Sequence, residues 1–194
     1  MILDTKNISF DIHENLNKEN TSFIYGEANY KDLLLIFKKF KINNFLDIGS
    51  GSGKIVFAVA IYMNIFSSGI EIDEGRYNKS IFYLNHLNDH KLYERTEFFN
   101  DDFRNIYFGE YDLIYCCNTV FSDIDNESLY EKIKSEFYGI FILFDYPNNF
   151  KKYLIYEKEI STTWNKNVKA YIFRKLKLFI ILKKIENKVN CLHI

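Results

Sequence analysis

One proline, three cysteines, eight glycines and four arginines in 194 residues each remove a class of protein from consideration. So little proline and glycine excludes collagen-like repeats and Pro/Gly-rich low-complexity chains. Cys116 and Cys117 are adjacent and Cys191 is distant, so neither a disulfide framework nor the C-x-x-C spacing of a zinc or redox motif is present. These thiols read as small buried hydrophobes of a reducing compartment. No apolar run reaches the ~20 residues a bilayer span requires. The segment Phe179-Ile180-Ile181-Leu182 is far too short, and the first residues lack a basic-then-apolar signal pattern. The expectation is an intracellular protein with no membrane contact. A net charge of −1 excludes coating of nucleic acid by overall charge and leaves room only for a local basic patch.

What is abundant points to one folded domain. The chain is 47% hydrophobic and 18% aromatic, enough to fill a sizeable core at this length. Nineteen Phe and fifteen Tyr stand in an Asn-, Lys- and Ile-heavy background, the composition of an AT-rich coding sequence such as that of a virus or an AT-rich microbe. His86 and His90 are four apart on a predicted helix, but no third ligand lies near them, so no metal is expected.

The order of elements is readable from periodicity. A polar arm over residues 1–22 precedes a helix over Asp32–Phe40 with Lys38 and Lys39 toward water. Strands are predicted over Asn44–Ile48, Ser67–Ile72, Thr96–Asn100, Tyr111–Cys116 and Gly139–Phe144. Helices are predicted over Lys54–Met63, Glu74–Leu87 and Ser128–Glu136. Alternating strands and helices make a doubly wound, mostly parallel α/β sheet. After Pro147, Tyr153–Thr163 and Val168–Lys175 read as an antiparallel hairpin connected through Trp164-Asn165-Lys166-Asn167. The domain spans residues 23–175, and residues 176–194 form a tail. No second domain or repeat is visible, and a monomer is expected.

Three of the eight glycines fall within Gly49-Ser50-Gly51-Ser52-Gly53, directly after the first strand. Glycine at alternate positions lets the backbone turn sharply and lie flush against a ligand. The helix that follows aims its N-terminal amides at the same place. The third glycine comes one residue too early for the dinucleotide fingerprint Gly-x-Gly-x-x-Gly. Asp47, two residues before the first glycine, suits a cationic methionine moiety better than a phosphate. Glu71 ends the second strand, where an acid grips ribose hydroxyls. Asp102 and Phe103 follow the third strand, where an acid accepts from an adenine amino group and a ring packs on the base. Asn118, Thr119, Val120 and Phe121 follow the fourth. There the Asn118 carbonyl is placed to orient an amine lone pair, with an ordinary turn residue as the alternative. An acid-plus-glycine turn paired with an acid on the next strand resembles the S-adenosylmethionine site of class I methyltransferases.

Further segments resemble a narrower family, the Dot1-type histone lysine methyltransferases. Tyr25-Gly26-Glu27 is similar to the segment that family places over bound S-adenosylmethionine. Asn118-Thr119-Val120-Phe121 is similar to its Asn-Phe-Ala-Phe, Asp102-Phe103 to its Asp-Phe, and Trp164 with Tyr171 to the aromatic pair of its last hairpin. The similarity runs from about Phe23 to Arg174. It implies a Rossmann-like methyltransferase fold and S-adenosylmethionine as cofactor. It implies that Tyr25, Glu27, Asp47, Gly49, Gly51, Gly53, Glu71, Asp102, Phe103 and Asn118 hold that cofactor. Phe121, Trp164 and Tyr171 then line a lysine channel, with Asn118, Phe121 and Tyr171 closest to the chemistry. The implied substrate is histone H3 in a nucleosome, and the implied location is a nucleus. A few of Arg76, Arg95, Arg104, Arg174, Lys38, Lys39, Lys175 and Lys177 are expected to touch DNA or an acidic histone surface, Arg174 and Lys175 among them because they are expected to flank the channel hairpin.

The chain also departs from the family. Ala28 stands where a threonine is common and Cys117 where many members have an Asn. The long N-terminal helical region and Lys-rich tail of large eukaryotic members are absent, and Asp145-Tyr146-Pro147 resembles small prokaryotic relatives that act on other proteins. Methylation of a non-histone protein, RNA or a small molecule stays open, as does a silent cofactor-binding subunit. A non-nuclear substrate would place the protein in cytoplasm.

Overall fold

The structure is a computed structural model that describes residues 28–86 and 90–177. Seven strands form one sheet in the order β3-β2-β1-β4-β5-β7-β6. They are β1 (Asn44–Ile48), β2 (Phe66–Glu71), β3 (Thr96–Asn100), β4 (Leu113–Cys116), β5 (Gly139–Leu143), β6 (Leu154–Ile160) and β7 (Val168–Lys175). The first five run parallel, and β7 pairs antiparallel with both β5 and β6. This is the expected doubly wound sheet with an antiparallel hairpin at its end.

Ile48 lies level with Ile70 on β2 and Cys116 on β4, so the loops after these strands leave from one edge. The inner strands β1, β4 and β5 are buried on both faces, which explains their near-continuous apolar runs. One face packs against α1 (Tyr30–Phe37), α2 (Lys54–Met63) and α3 (Glu74–His86). The other packs against α5 (Asp123–Glu136), with Leu129, Ile133 and Phe137 set against Phe141, Phe150 and Phe173. A short α4 (His90–Tyr93) adds Leu92 beneath α2. In α2 every residue from Ile55 to Ala60 is buried, as expected of a helix apolar on most sides.

Several boundaries differ from the sequence expectation for local reasons. The first helix starts at Tyr30 because the Asn29 side chain accepts the Lys31 N–H as its N-cap. It ends at Phe37, where Lys39 and Phe40 donate to carbonyls only three residues back and the chain tightens out of the α-helix. The α5 helix opens at Asp123 rather than Ser128. Ser122 Oγ accepts from Asp125 N–H at 3.2 Å while donating to the Asp125 carboxylate at 2.7 Å, a reciprocal cap. Short 3-10 turns at Phe103–Asn105, Phe108–Glu110, Asn118–Val120 and Asn148–Tyr153 carry the connections around the sheet. The helix predicted through Leu87 is described as far as His86, whose ring packs on Phe82 with Nδ1 at 2.7 Å from the Phe82 carbonyl. His90 opens the separate α4.

Candidate active site

Three left-handed glycines shape the loop between β1 and α2, with φ of 74° at Gly49, 57° at Gly51 and 85° at Gly53. A side chain at Gly53 is excluded twice, because its Cβ would also lie 2.5 Å from the Phe98 ring. Gly49 and Ser50 both donate to the Ile70 carbonyl, folding the loop back over β2. The loop is then pinned by Glu71. Its carboxylate accepts from Gly51 N–H at 2.8 Å and Asp73 N–H at 3.0 Å, with the Arg76 guanidinium 4.0 Å away. Buried Glu71 therefore shapes the turn as well as standing at the end of β2.

Asp47 is buried in the same floor, and no hydrogen bond or ion pair holds its carboxylate among the described residues. Burial, reinforced by the nearby Glu71 charge, pushes its pKa well above the usual carboxylate range. Ser50 and Ser52 hydroxyls are also buried without a partner among the described residues. A buried acid and two orphaned hydroxyls around an open glycine turn are a polar cradle that a ligand with a positive charge and hydroxyls would satisfy. These residues fit the methionine and ribose portions of S-adenosylmethionine.

Above the turn stands an aromatic wall. Phe121 packs against Gly49, where an added Cβ would lie 3.8 Å from its ring. Phe103 stacks on Phe121 with ring centroids 5.9 Å apart and planes 22° from parallel. Asp102 caps the 3-10 turn beneath Phe103, accepting Arg104 N–H at 2.9 Å and pairing with the Arg104 guanidinium at 2.6 Å. Arg104 also pairs with Asp125 at the start of α5 and thereby clips the β3 and β4 loops together. The glycine turn, Asp47, Glu71, Asp102, Phe103 and Phe121 thus all lie at the carboxyl end of the sheet.

Asn118 is in the right place, yet its side chain does not face an incoming amine. Its Oδ1 accepts from Phe144 N–H at 2.9 Å and Asp145 N–H at 3.1 Å. Its Nδ2 faces Asn126 Oδ1 at 2.7 Å, the Asp145 carbonyl at 3.1 Å and the Tyr130 hydroxyl at 3.2 Å. Fully buried and bonded at both ends, this amide fastens the β4 loop to the end of β5 and to α5. The carbonyl oxygen expected to orient an amine is held instead by the backbone N–H groups at the end of β5. Asn126 and Tyr130, which complete the cluster, carry no spacing signal in the sequence and meet it only through the fold. Tyr130 is pushed up to about 12, chiefly by burial.

On the hairpin, Tyr171 lies level with Leu143 at the end of β5 and meets Tyr146 edge-on at 4.7 Å. Tyr146 was missed as a wall residue although it directly follows Asp145. Trp164 sits half-exposed in the connection between β6 and β7, with no ring partner among the described residues. Antiparallel pairing of β7 sends Val168 and Tyr171 toward the site and Lys175 to the opposite edge, beside Gly139. The expectation that Arg174 and Lys175 flank the channel is therefore corrected. Lys175 is buried with Nζ against the Ile133 and Lys134 carbonyls, capping the C-terminus of α5. Burial keeps the Cys117 thiol protonated, raised to about 11, so it offers no thiolate at neutral pH.

Tyr25 and Glu27 lie outside the described residues, as does Cys191. The chain immediately after them is fixed. Ala28 bridges to Thr162, Asn29 N–H donates to the Ser161 carbonyl at 2.8 Å, and Asp32 accepts from Ser161 N–H at 3.0 Å. Ala28, where the family commonly has threonine, is buried in the core against this bridge.

The fold is shared with solved methyltransferases. An RNA methyltransferase from Salinibacter ruber, solved with S-adenosyl-L-homocysteine, aligns over 76% of this chain and 90% of its own at 15% identity and TM-score 0.61. Magnesium protoporphyrin IX methyltransferase from Synechocystis PCC 6803, solved with bound S-adenosylmethionine, aligns over 75% and 76% at 13% identity and TM-score 0.57. The methyltransferase domain of bacterial CtHen1-CN aligns over 75% and 96% at 11% identity and TM-score 0.61. No curated protein matches significantly. Residues 12–143, more than half of the chain, match the model of the family described as histone methylation protein DOT1. The chain belongs to that family and is an S-adenosylmethionine-dependent methyltransferase of class I, Rossmann-like fold.

Proposed function

We propose that the protein is a lysine N-methyltransferase acting on proteins, with histone H3 in a nucleosome as its favoured substrate. Within a family described by histone methylation, one observation carries the choice of a cationic protein side chain over a nucleic acid: the charge of the loops around the site. The connections after β2, β3, β4 and β5 bring Asp73, Glu74, Asp101, Asp102, Asp123, Asp125 and Asp145 to the carboxyl edge of the sheet, where the cations Lys54, Arg76, Arg104 and Lys166 are fewer. Such a rim attracts a lysine-bearing segment and repels a phosphate backbone.

When bound, S-adenosylmethionine supplies a methyl group activated by a sulfonium centre. The residues of this chain have two tasks around it. Asp47 and Glu71 would hold the positive and hydroxyl-bearing parts, Asp102 and Phe103 the base. The Asn118–Asn126–Tyr130 cluster keeps the β4 and β5 loops in one conformation, so that Phe121, Tyr146 and Tyr171 can guide the incoming side chain. Methyl transfer needs a neutral amine, and removing the proton from lysine at pH 7 costs about 4.6 kcal/mol from its ordinary pKa of ~10.4. An apolar aromatic entrance reduces that penalty because desolvation disfavours the ammonium form.

The test is incubation with radiolabelled S-adenosylmethionine and, separately, nucleosomes, free histones and total RNA, with peptide mapping of the product. Label on a lysine of nucleosomal H3, exceeding that on free H3 and falling as salt rises, is the expected result. Label on RNA alone would end the lysine reading. Label on a lysine of a different protein would end only the histone reading.

A further inference from the structure

The amino edge of the sheet, opposite the site, carries a second surface. Lys38, Lys39 and Lys41 follow α1, and Arg174 and Lys177 close β7. All five are exposed, and none has an ion-pair partner among the described residues. Three of the five lie over rings. The Lys39 ammonium is 4.8 Å from the centre of Tyr156, the Arg174 guanidinium 5.5 Å from Phe40, and the Lys177 ammonium 5.7 Å from Tyr138. Phe40 lies in the same turn as the three lysines, which joins the α1 cations to the β7 cations. Of the acids on this edge, Asp112 is engaged by the Asn43 and Asn44 N–H groups, Glu131 and Glu136 are paired with Lys134 and Lys132, and Glu94 and Glu110 stand exposed before β3 and β4. Lys175 takes no part, being buried against α5.

We infer that this edge is a docking surface for the phosphate backbone of nucleic acid, independent of the methyl-transfer site. Cations held over ring faces on a rigid helix end and strand end are preorganised rather than free to collapse onto acids. The rings are already covered by these cations, which favours phosphate contact over base stacking. Eight residues of β7 separate the two edges by roughly 20–25 Å, so nucleic acid docked here does not enter the site. The surface holds the enzyme on a nucleic-acid-bearing assembly while the acidic rim faces elsewhere.

Fluorescence anisotropy of a labelled mixed-sequence duplex of about 20 base pairs tests this. The whole chain should bind with a log–log salt slope of about −4, for four to five phosphates. Replacing Lys38, Lys39 and Lys41 with Gln should weaken binding about tenfold or more at low salt and flatten the slope by about 0.9 per cation removed. Arg174→Gln alone should flatten it by one such step, and the triple Lys→Arg variant should retain binding. Thermal unfolding of each variant establishes that it is folded. Unchanged duplex binding by the folded triple Gln variant overturns the proposal. So does failure of the wild type to bind duplex, or a stronger attachment to phosphatidylserine vesicles that depends on the exposed Leu35 and Leu176.

Discussion

The two edges of the sheet are built from the same strands and do opposite things with charge. At the carboxyl edge acids dominate, two of them are buried, and one, Asp47, has no partner among the described residues. At the amino edge exposed cations of α1 and β7 stand alongside exposed acids such as Glu94 and Glu110, and the buried cation, Lys175, is satisfied by the carbonyls of α5. Tyr171 and Arg174 lie on a single strand yet belong to different edges. A buried carboxylate without a partner costs far more than a lone buried hydroxyl such as that of Thr96 at the start of β3, and a cationic ligand can complete it. The carboxyl edge therefore gives up more stability for binding than the amino edge does.

Substitutions can break this contrast, beginning with the largest expected effect. Asn118→Ala strands the buried N–H of Phe144 and loosens that of Asp145. At about 1–3 kcal/mol for each unsatisfied group, unfolding stability in urea should fall by roughly 2–5 kcal/mol. Turnover should fall with it. A loss of turnover with full stability would return Asn118 to direct contact with the reacting amine.

Glu71→Ala removes both the pin on Gly51 and the acid at the end of β2. Charge-assisted bonds of this kind contribute about 1.5–3 kcal/mol, so calorimetry should show S-adenosylmethionine affinity reduced about tenfold or more. Unchanged affinity in a folded variant would remove Glu71 from the cofactor site.

Asp47→Asn should act in two directions at once. The folded-state pKa of Asp47 lies above its unfolded value. Protonated Asp47 therefore suits the fold, and stability present at low pH is lost as pH rises through the folded pKa. At pH 7 the neutral amide should raise unfolding stability of the ligand-free protein by about 1–3 kcal/mol while weakening cofactor binding. The stabilisation should vanish below about pH 4, where the carboxyl is protonated in both states. A variant less stable than wild type at pH 7 would show that the carboxylate has a partner. At the amino edge, by contrast, changing Lys38, Lys39 and Lys41 to Gln should leave the thermal midpoint within about 2 °C.

Local chemistry made much of the fold legible. Asn44–Ile48, Lys54–Met63 and Thr96–Asn100 lie where the sequence places them, because apolar runs and a glycine turn bound them sharply. The start of α5 was missed because Asp123-Ile124-Asp125-Asn126 has no apolar face, although Ser122 and Asp125 carry a readable capping signal. The floor of the site was legible since Asp47 and Glu71 are acids inside or ending apolar strands. The partners of Asn118 were not, because Asn126, Tyr130 and Asp145 reach it through pairings that only tertiary structure creates. Arg174 was misplaced by treating the hairpin as one location, when an antiparallel strand visits both edges.

The tie between Ala28–Asp32 and Ser161–Thr162 has a consequence for how the molecule assembles. Asp32 and Ser161 are 129 positions apart, so this closure is among the costliest in loop entropy and belongs late in folding. Five parallel strands can pair before the hairpin exists, but the entry to α1 at Ala28 and Asn29 has no tie to the sheet's last hairpin until residues 161–162 arrive. During synthesis the glycine turn and α1 emerge long before that tie can be made. The fixed entry of α1 thus becomes a property of the finished chain, and a chain truncated before the hairpin lacks the tie.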